Sequence, residues 1–346
     1  MKTAVVILNY NTKDYLRKFL PGLMASCEGL DAQVWVADNA SADGSVEMLQ
    51  ADFPEVPLIL LDKNFGFTGG YNRALQEIEA EYFVLINSDI EVPEGWLDPL
   101  VQWMDSHPEC GACGPKLISY ANRAYFEYAG AAGGLLDKYG YPFCRGRLLQ
   151  KVQKDQGQYD GAPANVLWVS GACLMVRASL WKALGGLDER FFAHMEEIDL
   201  CWRMQLSGYK VTVLPQSRVY HIGGGTLPNE SPFKLRLNFR NNLLLLENNL
   251  PATFMAEMAG RHSRPDRESL ARRKTRRRIR LRMCLDGGSA LVYLLTGRWS
   301  FFRAVLSAHR EYRQLRRPGA IPPSAPCYPD GLVNEAVVLK ALFRKK

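Results

Sequence analysis

The chain lacks any apolar run long enough to cross a bilayer. Its longest stretch without a charged residue, 161–176, has 16 residues and is interrupted by Pro163, Asn165 and Ser170. A spanning helix needs about 20 predominantly apolar residues. The N-terminus enters the apolar run 3–8 with one lysine and no small-residue cleavage site, so we predict no secretory signal. We expect a cytoplasmic protein without a transmembrane helix.

Several chemical signatures are also missing. The eight cysteines have no disulfide-scaffold spacing, which favours a reducing compartment. Cys110 and Cys113 form a CxxC without a second ligand pair, so packing of small residues in a strand explains them better than a zinc site. No GxxxxGK[ST] or clean GxGxxG occurs, and no Ser-His-Asp or Cys-His set is recognisable, which argues against an ATPase, a dinucleotide enzyme or a covalent nucleophile.

Positive charge is plentiful but concentrated. The formal net charge is +7, yet the segment 261–282 holds eleven Arg and Lys residues against Asp266 and Glu268 alone, so the rest of the chain is slightly acidic. Such a run suits phosphates of nucleic acid or anionic lipid. No nucleic-acid recognition module accompanies it, and Trp299 and Phe301 follow beside a short apolar patch. We therefore expect docking on an anionic membrane surface, at the inner face of the cell membrane.

Short apolar runs alternate with helical patterns over the first hundred residues. Strands are predicted at 5–8, 34–37, 58–61 and 82–86, and helices at 15–25, 46–50 and 71–79. Continuous aliphatic runs separated by helices are typical of an α/β fold with a mostly parallel sheet covered on both faces.

The remainder is less regular. We expect residues 117–159 to be largely loop, with strands at 166–176 and 210–214 and a helix at 233–249 that Pro251 ends. The tail from residue 261 is predicted as a basic helix, a break at Gly287 and Gly288, and a second basic helix at 301–317.

Polar side chains follow each of the four predicted strands. The segments are Asn9-Tyr10-Asn11, Asp38-Asn39-Ala40-Ser41, the stretch from Asn64 to Asn72, and Asn87-Ser88-Asp89. Ligands of open α/β sheets bind beyond the carboxyl ends of strands. Turn formation alone is the alternative explanation, because Asn, Asp and Gly are common turn residues.

Each segment suggests a role. Asp38 can accept from a pyrimidine imide N–H, and Tyr10 offers an aromatic face. The glycine-rich loop from Gly66 to Gly70 lets backbone approach phosphates at a helix N-terminus. Asp89, at the end of a buried strand, is a natural ligand for a magnesium or manganese ion that bridges a diphosphate.

A second acidic segment lies at 191–203. Glu196, Glu197 and Asp199 follow the aromatic pair Phe191 and Phe192 with no nearby lysine run. Carboxylates among apolar residues hold perturbed pKa values and are candidates for acid/base chemistry. The alternative is a helix N-terminus whose acidic residues complement the dipole.

Taken together, these segments resemble family 2 glycosyltransferases of the GT-A fold, and among them bacterial rhamnosyltransferase-like enzymes that build surface polysaccharides such as O-antigen and cell wall. The ordered matches are 7–11, 37–45, 64–72, 85–89, 170–173, 185–192, the acidic segment and 219–221. The resemblance covers about residues 1–250, with a nucleotide-sugar half at about 1–115 and an acceptor half at about 116–250. Residues 251–346 would form a basic, partly amphipathic helical tail.

The resemblance implies a role for each matched position. Nucleotide-sugar binding would fall to Asn9, Tyr10, Asn11, Asp38, Asn64, Gly66, Asn72 and Asn87. Asp89 and His221 would bind Mg²⁺ or Mn²⁺, although Asn87 stands where many relatives have a first aspartate, and His221 can equally be a core histidine. Glu197 matches the catalytic base, one methylene longer than the family's aspartate, which leaves Glu196 as the alternative.

The acceptor side is less defined. Gly171, Trp202 and Arg203 fall in matched segments; Arg203 suits a brace for the acidic helix, and Trp202 either the core or an acceptor wall. The implied reaction is an inverting single displacement from a dTDP- or UDP-sugar, with rhamnose as the candidate sugar, to a hydroxyl of a lipid-linked or glycan acceptor. The competing interpretations are a nucleotidyltransferase, which the residues after strand one disfavour, and a catalytically weak protein that binds nucleotide sugar, nucleic acid or lipid through its tail.

Overall fold

The computed structural model describes residues 1–223, 231–261, 263–321 and 325–343. Its strands are β1 (Thr3–Asn9), β2 (Ala32–Asp38), β3 (Leu58–Leu60), β4 (Tyr82–Ile86), β5 (Ile90–Glu91), β6 (Cys110–Ser119), β7 (Gly134–Asp137), β8 (Pro142–Cys144), β9 (Arg147–Leu148), β10 (Lys151–Val152), β11 (Ala164–Asn165), β12 (Cys173–Arg177), β13 (Lys210–His221) and β14 (Leu332–Val333). Its α-helices are α1 (Lys13–Ala25), α2 (Ser45–Asp52), α3 (Gly66–Ala74), α4 (Asp98–Ser106), α5 (Ala178–Ala183), α6 (Glu196–Leu206), α7 (Pro232–Glu257), α8 (Arg264–Leu295), α9 (Trp299–Leu315) and α10 (Val337–Phe343).

The main sheet has the order β11-β13-β6-β12-β4-β1-β2-β3, and β5 pairs with β13. Strands β3, β2, β1 and β4 are parallel neighbours. Strand β12 runs antiparallel to both β4 and β6, and β6 is parallel to β13. Six strands therefore point the same way, and β12, β11 and β5 run opposite to them, which confirms the predicted mixed, mostly parallel α/β fold.

Burial of apolar side chains explains why the first half of the chain forms these strands and helices. Strand β4 is buried at every position, and helix α1 buries Leu16, Phe19, Leu20 and Leu23, the spacing of one helical face. Separate hydrophobic clusters cover the two faces of the sheet. The register then sets Asn9 beside Asp38 and Ile7 beside Ile86, so the polar segments after β1, β2 and β4 emerge at one edge.

Several boundaries differ from the sequence predictions. Residues 117–159 include the end of β6 and the strands β7 to β10, which form a small second sheet with β14 rather than a mostly irregular loop. The strand predicted at 166–176 begins only at Cys173. Helix α3 covers Gly66–Ala74, so the glycine-rich segment is itself helical.

Proline does not end α7. The helix continues through Pro251 to Glu257, which makes the predicted end at 249 wrong. A proline inside a helix costs about 3 kcal/mol or more, but tertiary packing can outweigh propensity. Here Leu250, Ala252 and Met255 are buried, and α8 and α9 both pack along α7.

The predicted break at Gly287 and Gly288 is also wrong, because α8 is continuous to Leu295. The neighbouring Asp286 is fully buried and bonded to Arg282, and its other oxygen lies 3.4 Å from His309 of α9. This fixed contact between α8 and α9 offsets the helix penalty of about 1 kcal/mol for each glycine. The division of the chain near residue 250 stays a prediction, and α7 runs across that position.

Among the described residues, we find no helix long and apolar enough to cross a membrane.

Candidate active site

The acidic pair stands at the start of α6, behind a strained loop. Phe192, His194 and Met195 have φ angles of 63°, 72° and 73°, in the left-handed region that residues with a side chain rarely adopt. Such conformations persist where the surrounding structure holds them, and they cluster at functional sites. The loop delivers Glu196 and Glu197 as the first two residues of the helix.

The two carboxyl groups have different surroundings. Glu196 is 4% exposed, whereas Glu197 is half-buried. Glu197 lies beside Gly171: a β-carbon built there would be 3.5 Å from Glu197 Cβ and 3.6 Å from Cζ of Phe67. In each carboxylate, Oε2 is buried without a hydrogen-bond partner in the part of the chain that the structure describes. Of the pair, Glu197 is the more exposed side chain.

Burial without a partner changes the acidity of both groups. Desolvation raises the pKa of Glu197 to about 7, against the lowering effect of nearby backbone N–H groups. Burial raises the pKa of Glu196 well above its usual range, and the charge of Glu197 raises it further. Near neutral pH, therefore, Glu197 can take up and release a proton, whereas Glu196 holds its proton more tightly than an ordinary carboxyl, a division of roles suited to a general base.

A second group of titratable residues lies at the ends of β4 and β13. Asp89 is buried; its Oδ1 is 3.1 Å from Nε2 of His221 and its Oδ2 accepts from the Gly223 N–H at 3.2 Å. Nδ1 of His221 lies 3.4 Å from Oε1 of Glu127. Burial alone would lower the pKa of His221, but the two carboxylates outweigh it and raise the pKa to about 10.

Asp89 and His221 are the candidate ligands for a divalent ion. A carboxylate is a ligand type that Mn²⁺ and Mg²⁺ prefer, whereas the raised pKa of His221 means that its ring would have to release a proton before a nitrogen could bind an ion. No group of three His, Cys, Asp or Glu side chains able to hold an ion occurs within the described ranges. Magnesium commonly uses one or two protein ligands plus substrate phosphates and water. The site therefore fits an ion that is bound together with a diphosphate.

At the carboxyl ends of β1 and β2, where nucleotide binding is predicted, Asp38 and Asn9 form hydrogen bonds with their own neighbours. Asp38 is 2% exposed; its Oδ1 accepts from Nδ2 of Asn9 at 2.7 Å and its Oδ2 from the Ser41 N–H at 2.8 Å. Asn9 in turn donates to Ser41 Oγ at 3.0 Å and accepts from Thr12 Oγ1. This network fixes the ends of β1 and β2, and Tyr10 lies half-buried next to it.

The loop before α3 is held from within. Oδ1 of Asn64 accepts from the Gly66 N–H at 2.8 Å, and Asn39 bonds both Asn64 and Gly66. Gly66 has a φ of +71°, and a β-carbon there would lie 2.6 Å from the Phe192 carbonyl oxygen, so only glycine fits. Asn72 exchanges two hydrogen bonds with the main chain of Leu187.

The remaining predicted residues separate into surface and core. Asn11 is exposed and Asn87 is half-buried close to Asp89. Trp202 is fully buried and donates to Thr253, so it has no surface for a ligand. Arg203 donates to Asp199 and to the carbonyls of Leu184 and Gly186, and therefore braces α6.

Three residues that shape the site are not predicted from the sequence. Glu127 lies in the segment predicted to be loop, and His194 lies inside the acidic segment 191–203, where nothing in the pattern singles it out. Burial, and then the charge of Lys234, lower the pKa of His194 to about 4, so its ring is neutral at physiological pH. Asn39, which holds the glycine-rich segment, was indistinguishable from an ordinary turn residue.

Comparisons with known proteins point to transfer of a sugar. Residues 4–165 match the family model described as glycosyl transferase family 2. An N-acetylglucosaminyl-diphospho-decaprenol L-rhamnosyltransferase of Mycobacterium tuberculosis is 27% identical over 233 residues, which are 63% of this chain and 75% of that protein. The O-antigen biosynthesis protein RfbC of Myxococcus xanthus is 27% identical over 223 residues, 64% of this chain and 17% of that protein.

Solved structures share the fold at low identity. The mannosyltransferase PcManGT from Pyrobaculum calidifontis, in complex with GDP-Man and Mn²⁺, gives a TM-score of 0.51 at 13% identity and covers 91% of this chain and 88% of that one. Residues 1–349 of S. aureus TarS, in complex with UDP-GlcNAc, give 0.51 at 15% identity over 91% and 92%. Together these comparisons identify the chain as a glycosyltransferase with the GT-A fold whose residues 4–165 match family 2, and it is similar to a bacterial rhamnosyltransferase and to an O-antigen biosynthesis protein.

Proposed function

We propose that this glycosyltransferase inverts the configuration at the anomeric carbon, and that Glu197 is its general base. The observation that carries the proposal is the Glu197 carboxyl: half-buried, with an unpartnered Oε2, and with a pKa raised to about 7 by burial. Glu197 removes the proton of an acceptor hydroxyl. The hydroxyl oxygen bonds to the anomeric carbon from one face while the bond to the diphosphate oxygen breaks on the other.

Several nucleotide-sugar contacts follow from the same edge of the sheet. Tyr10, Asn11 and Asn87 offer accessible side chains there, and Asp38 keeps acceptor capacity beyond its two internal hydrogen bonds. Asn9, Asn64, Gly66 and Asn72 act by shaping the two loops that border the nucleotide. Gly171 leaves room beside Glu197 for the acceptor.

Asp89 and His221 would hold a divalent ion together with the diphosphate of the donor. When bound, the ion supplies positive charge that stabilises the departing diphosphate. The PcManGT structure contains Mn²⁺ with its GDP-sugar, which supports the same use here. Mg²⁺ is the alternative, since both ions bind carboxylates such as Asp89.

The donor and acceptor classes rest on the relatives. The mycobacterial protein is named as a rhamnosyltransferase that acts on a diphospho-decaprenol, a lipid-linked acceptor. We infer a nucleoside-diphosphate sugar, of the dTDP or UDP type and carrying rhamnose, and an acceptor that is lipid-linked or a growing glycan. A protein that binds these ligands without turnover is the competing proposal; the retained carboxyl pair disfavours it.

The C-terminal helices support docking on an anionic membrane surface. Helix α8 buries a stripe that includes Ala271, Thr275 and Ile279, so it packs on the enzyme rather than forming a free charge run. Its other face exposes Arg273, Lys274, Arg276, Arg277 and Arg280. At the turn into α9, Leu291, Val292, Leu295 and Trp299 are more than half exposed. Cationic residues beside exposed apolar and aromatic ones are typical of interfacial binding.

The membrane proposal has a matched test. Leu295→Ser and Leu60→Ser each remove one exposed leucine, but Leu60 lies on the edge strand β3. In flotation with vesicles containing phosphatidylglycerol, Leu295→Ser should weaken binding of the full chain and Leu60→Ser should not. Equal binding by both variants and the unchanged protein would overturn the proposal.

The reaction is tested by nucleotide release. Purified protein with Mn²⁺ or Mg²⁺ is offered dTDP-, UDP- and GDP-sugars, with and without a polyprenyl-diphosphate-linked acceptor. We expect release from one donor that Glu197→Gln and Asp89→Ala both strongly reduce. If no donor is turned over and calorimetry detects no nucleotide binding, the proposed enzyme activity is wrong.

A further inference from the structure

A buried amide on α7 holds the strained loop in front of the carboxyl pair. Asn241 is 0% exposed, and its Nδ2, which carries two N–H donors, lies within hydrogen-bond distance of three carbonyl oxygens of that loop, on Phe191 at 3.0 Å, Ala193 at 2.7 Å and His194 at 2.7 Å. The adjacent Arg240, also buried, donates to the Phe191 carbonyl at 2.7 Å and to Oδ1 of Asn241 at 2.9 Å.

The loop needs external donors because of its backbone. Three residues with positive φ cost of order 1–3 kcal/mol each, and such conformations survive only where the surroundings over-determine them. On its other side, the Phe192 carbonyl accepts from the Thr68 N–H of α3 at 3.2 Å. The loop is therefore fixed between the helix that borders the nucleotide and α7.

The contacts continue into the C-terminal helices. Glu311 of α9 accepts from Arg240 Nη1 at 3.2 Å through one oxygen and from Arg236 Nη1 at 2.8 Å through the other. Residue 311 lies far outside the segment 4–165 that matches the family model. A carboxylate from the tail thus orients the arginine that bonds the loop before α6.

We propose that Asn241 and Arg240, oriented by Glu311, are positioning residues that fix loop 191–195 and so aim Glu197 at the acceptor. This rests on the proposed role of Glu197 as base. A displacement of about 1 Å can reduce turnover about 100-fold without weakening ground-state binding. The C-terminal helices would then hold the active-site loop in place as well as form the proposed membrane-docking surface.

The chain offers matched controls for each step. Asn242 is the next residue of α7 and equally buried. Its Nδ2 donates to the Gly140 carbonyl at 2.6 Å and touches the loop through a weak side-chain contact with Met195 Sδ at 3.8 Å, not through a main-chain carbonyl. Tyr312 follows Glu311 on α9 and joins α9 to α7 through Glu247 at 2.6 Å. Asn242→Ala and Tyr312→Phe therefore remove comparable buried contacts but leave the loop's donors in place.

The experiment combines hydrogen exchange with kinetics on the full chain. In Asn241→Ala and Glu311→Gln, backbone amides of residues 192–197 should exchange faster than in the unchanged protein, and in Asn242→Ala and Tyr312→Phe they should not. With the sugar nucleotide found by the release assay, Asn241→Ala should lower kcat about 100-fold with the donor KM within about twofold. Glu311→Gln, which keeps one acceptor oxygen, should lower kcat less.

Two results would overturn the proposal. Exchange of 192–197 that does not respond to Asn241→Ala would show that the amide does not hold the loop. If Asn242→Ala lowered kcat as much as Asn241→Ala, the hydrogen bonds from Asn241 to the loop would matter only as general packing of α7. If the unchanged protein turns over no donor, the proposed reaction fails separately, and the exchange data alone decide whether Asn241 fixes the loop.

Discussion

Two polar clusters stand at the same edge of the sheet, and they differ in whether their hydrogen bonds are satisfied. Around Asp38, both carboxylate oxygens have donors and Asn9 bonds three neighbours. At the start of α6, Glu196 and Glu197 each keep a buried oxygen without a partner among the described residues. A network whose hydrogen bonds are satisfied makes a fold rigid. A buried carboxyl without a partner has a raised pKa, and such groups are candidates for acid/base catalysis.

The largest expected effect separates the two glutamates. Glu197→Gln keeps the size of the side chain but cannot accept a proton, so nucleotide release should fall about 10³-fold, within the range for a lost general base. Glu196→Gln should change it less than about tenfold, because burial makes Glu196 hold its proton more tightly than an ordinary glutamate and so a poorer proton acceptor. Steady-state release assays on both variants check this, and the reverse order would transfer the role of base to Glu196.

Asp89→Ala extends the comparison to the second carboxylate site. The variant leaves the His221 ring without the oxygen at 3.1 Å and removes a candidate ion ligand. We expect release to fall about 100-fold, as for loss of a charge-stabilising group. Calorimetry with UDP, dTDP and GDP in the presence and absence of Mn²⁺ should show metal-dependent binding in the unchanged protein only; metal-independent binding by both proteins would contradict the assignment.

Asp38→Ala should act mainly on stability. It strands the Asn9 amide and the Ser41 N–H, and leaving buried donors unsatisfied costs about 1–3 kcal/mol each. We expect a clear fall in Tm, whereas Glu197→Gln should leave Tm unchanged or raise it. Calorimetric melts of both variants at pH 7 test this; equal destabilisation would erase the distinction between the clusters.

The smallest effect is a pH-dependent stabilisation. Burial raises the folded pKa of Glu196 above its unfolded value, so the folded state resists losing that proton and stability falls as pH rises through the unfolded pKa toward the folded one. Glu196→Gln removes this penalty. Its Tm should exceed that of the unchanged protein at pH 8 by at least about 2 °C and match it at pH 5. A constant difference at both pH values would contradict the assigned pKa.

The sequence predicted what depends on local pattern. Strands β1, β2 and β4 were readable because their buried runs are continuous, and their order along the chain places Asn9, Asp38 and Asp89 at one edge. The acidic pair was visible as a motif. The resemblance assigned the role of base to Glu197 but left Glu196 as the alternative, and that assignment stays a prediction.

What escaped prediction depends on distant contacts. Pro251 and Gly287 are helix breakers by propensity, yet α7 and α8 continue through them because neighbouring helices bury those turns. The bonds from Asn241 to the loop join residues about fifty positions apart, and nothing local marks this asparagine as different from Asn242. Glu127 reaches His221 from a segment whose glycine and tyrosine content predicted irregular structure.

The central claim is that Glu197 is the base and that burial sets its pKa near 7. It is tested most directly by the pH dependence of kcat for nucleotide release in the unchanged protein and in Glu197→Gln. Activity should be lost as pH falls through about 7, where the Glu197 carboxylate takes up its proton, and the residual activity of Glu197→Gln should lack this acid limb. An acid limb that survives unchanged in Glu197→Gln would contradict the account.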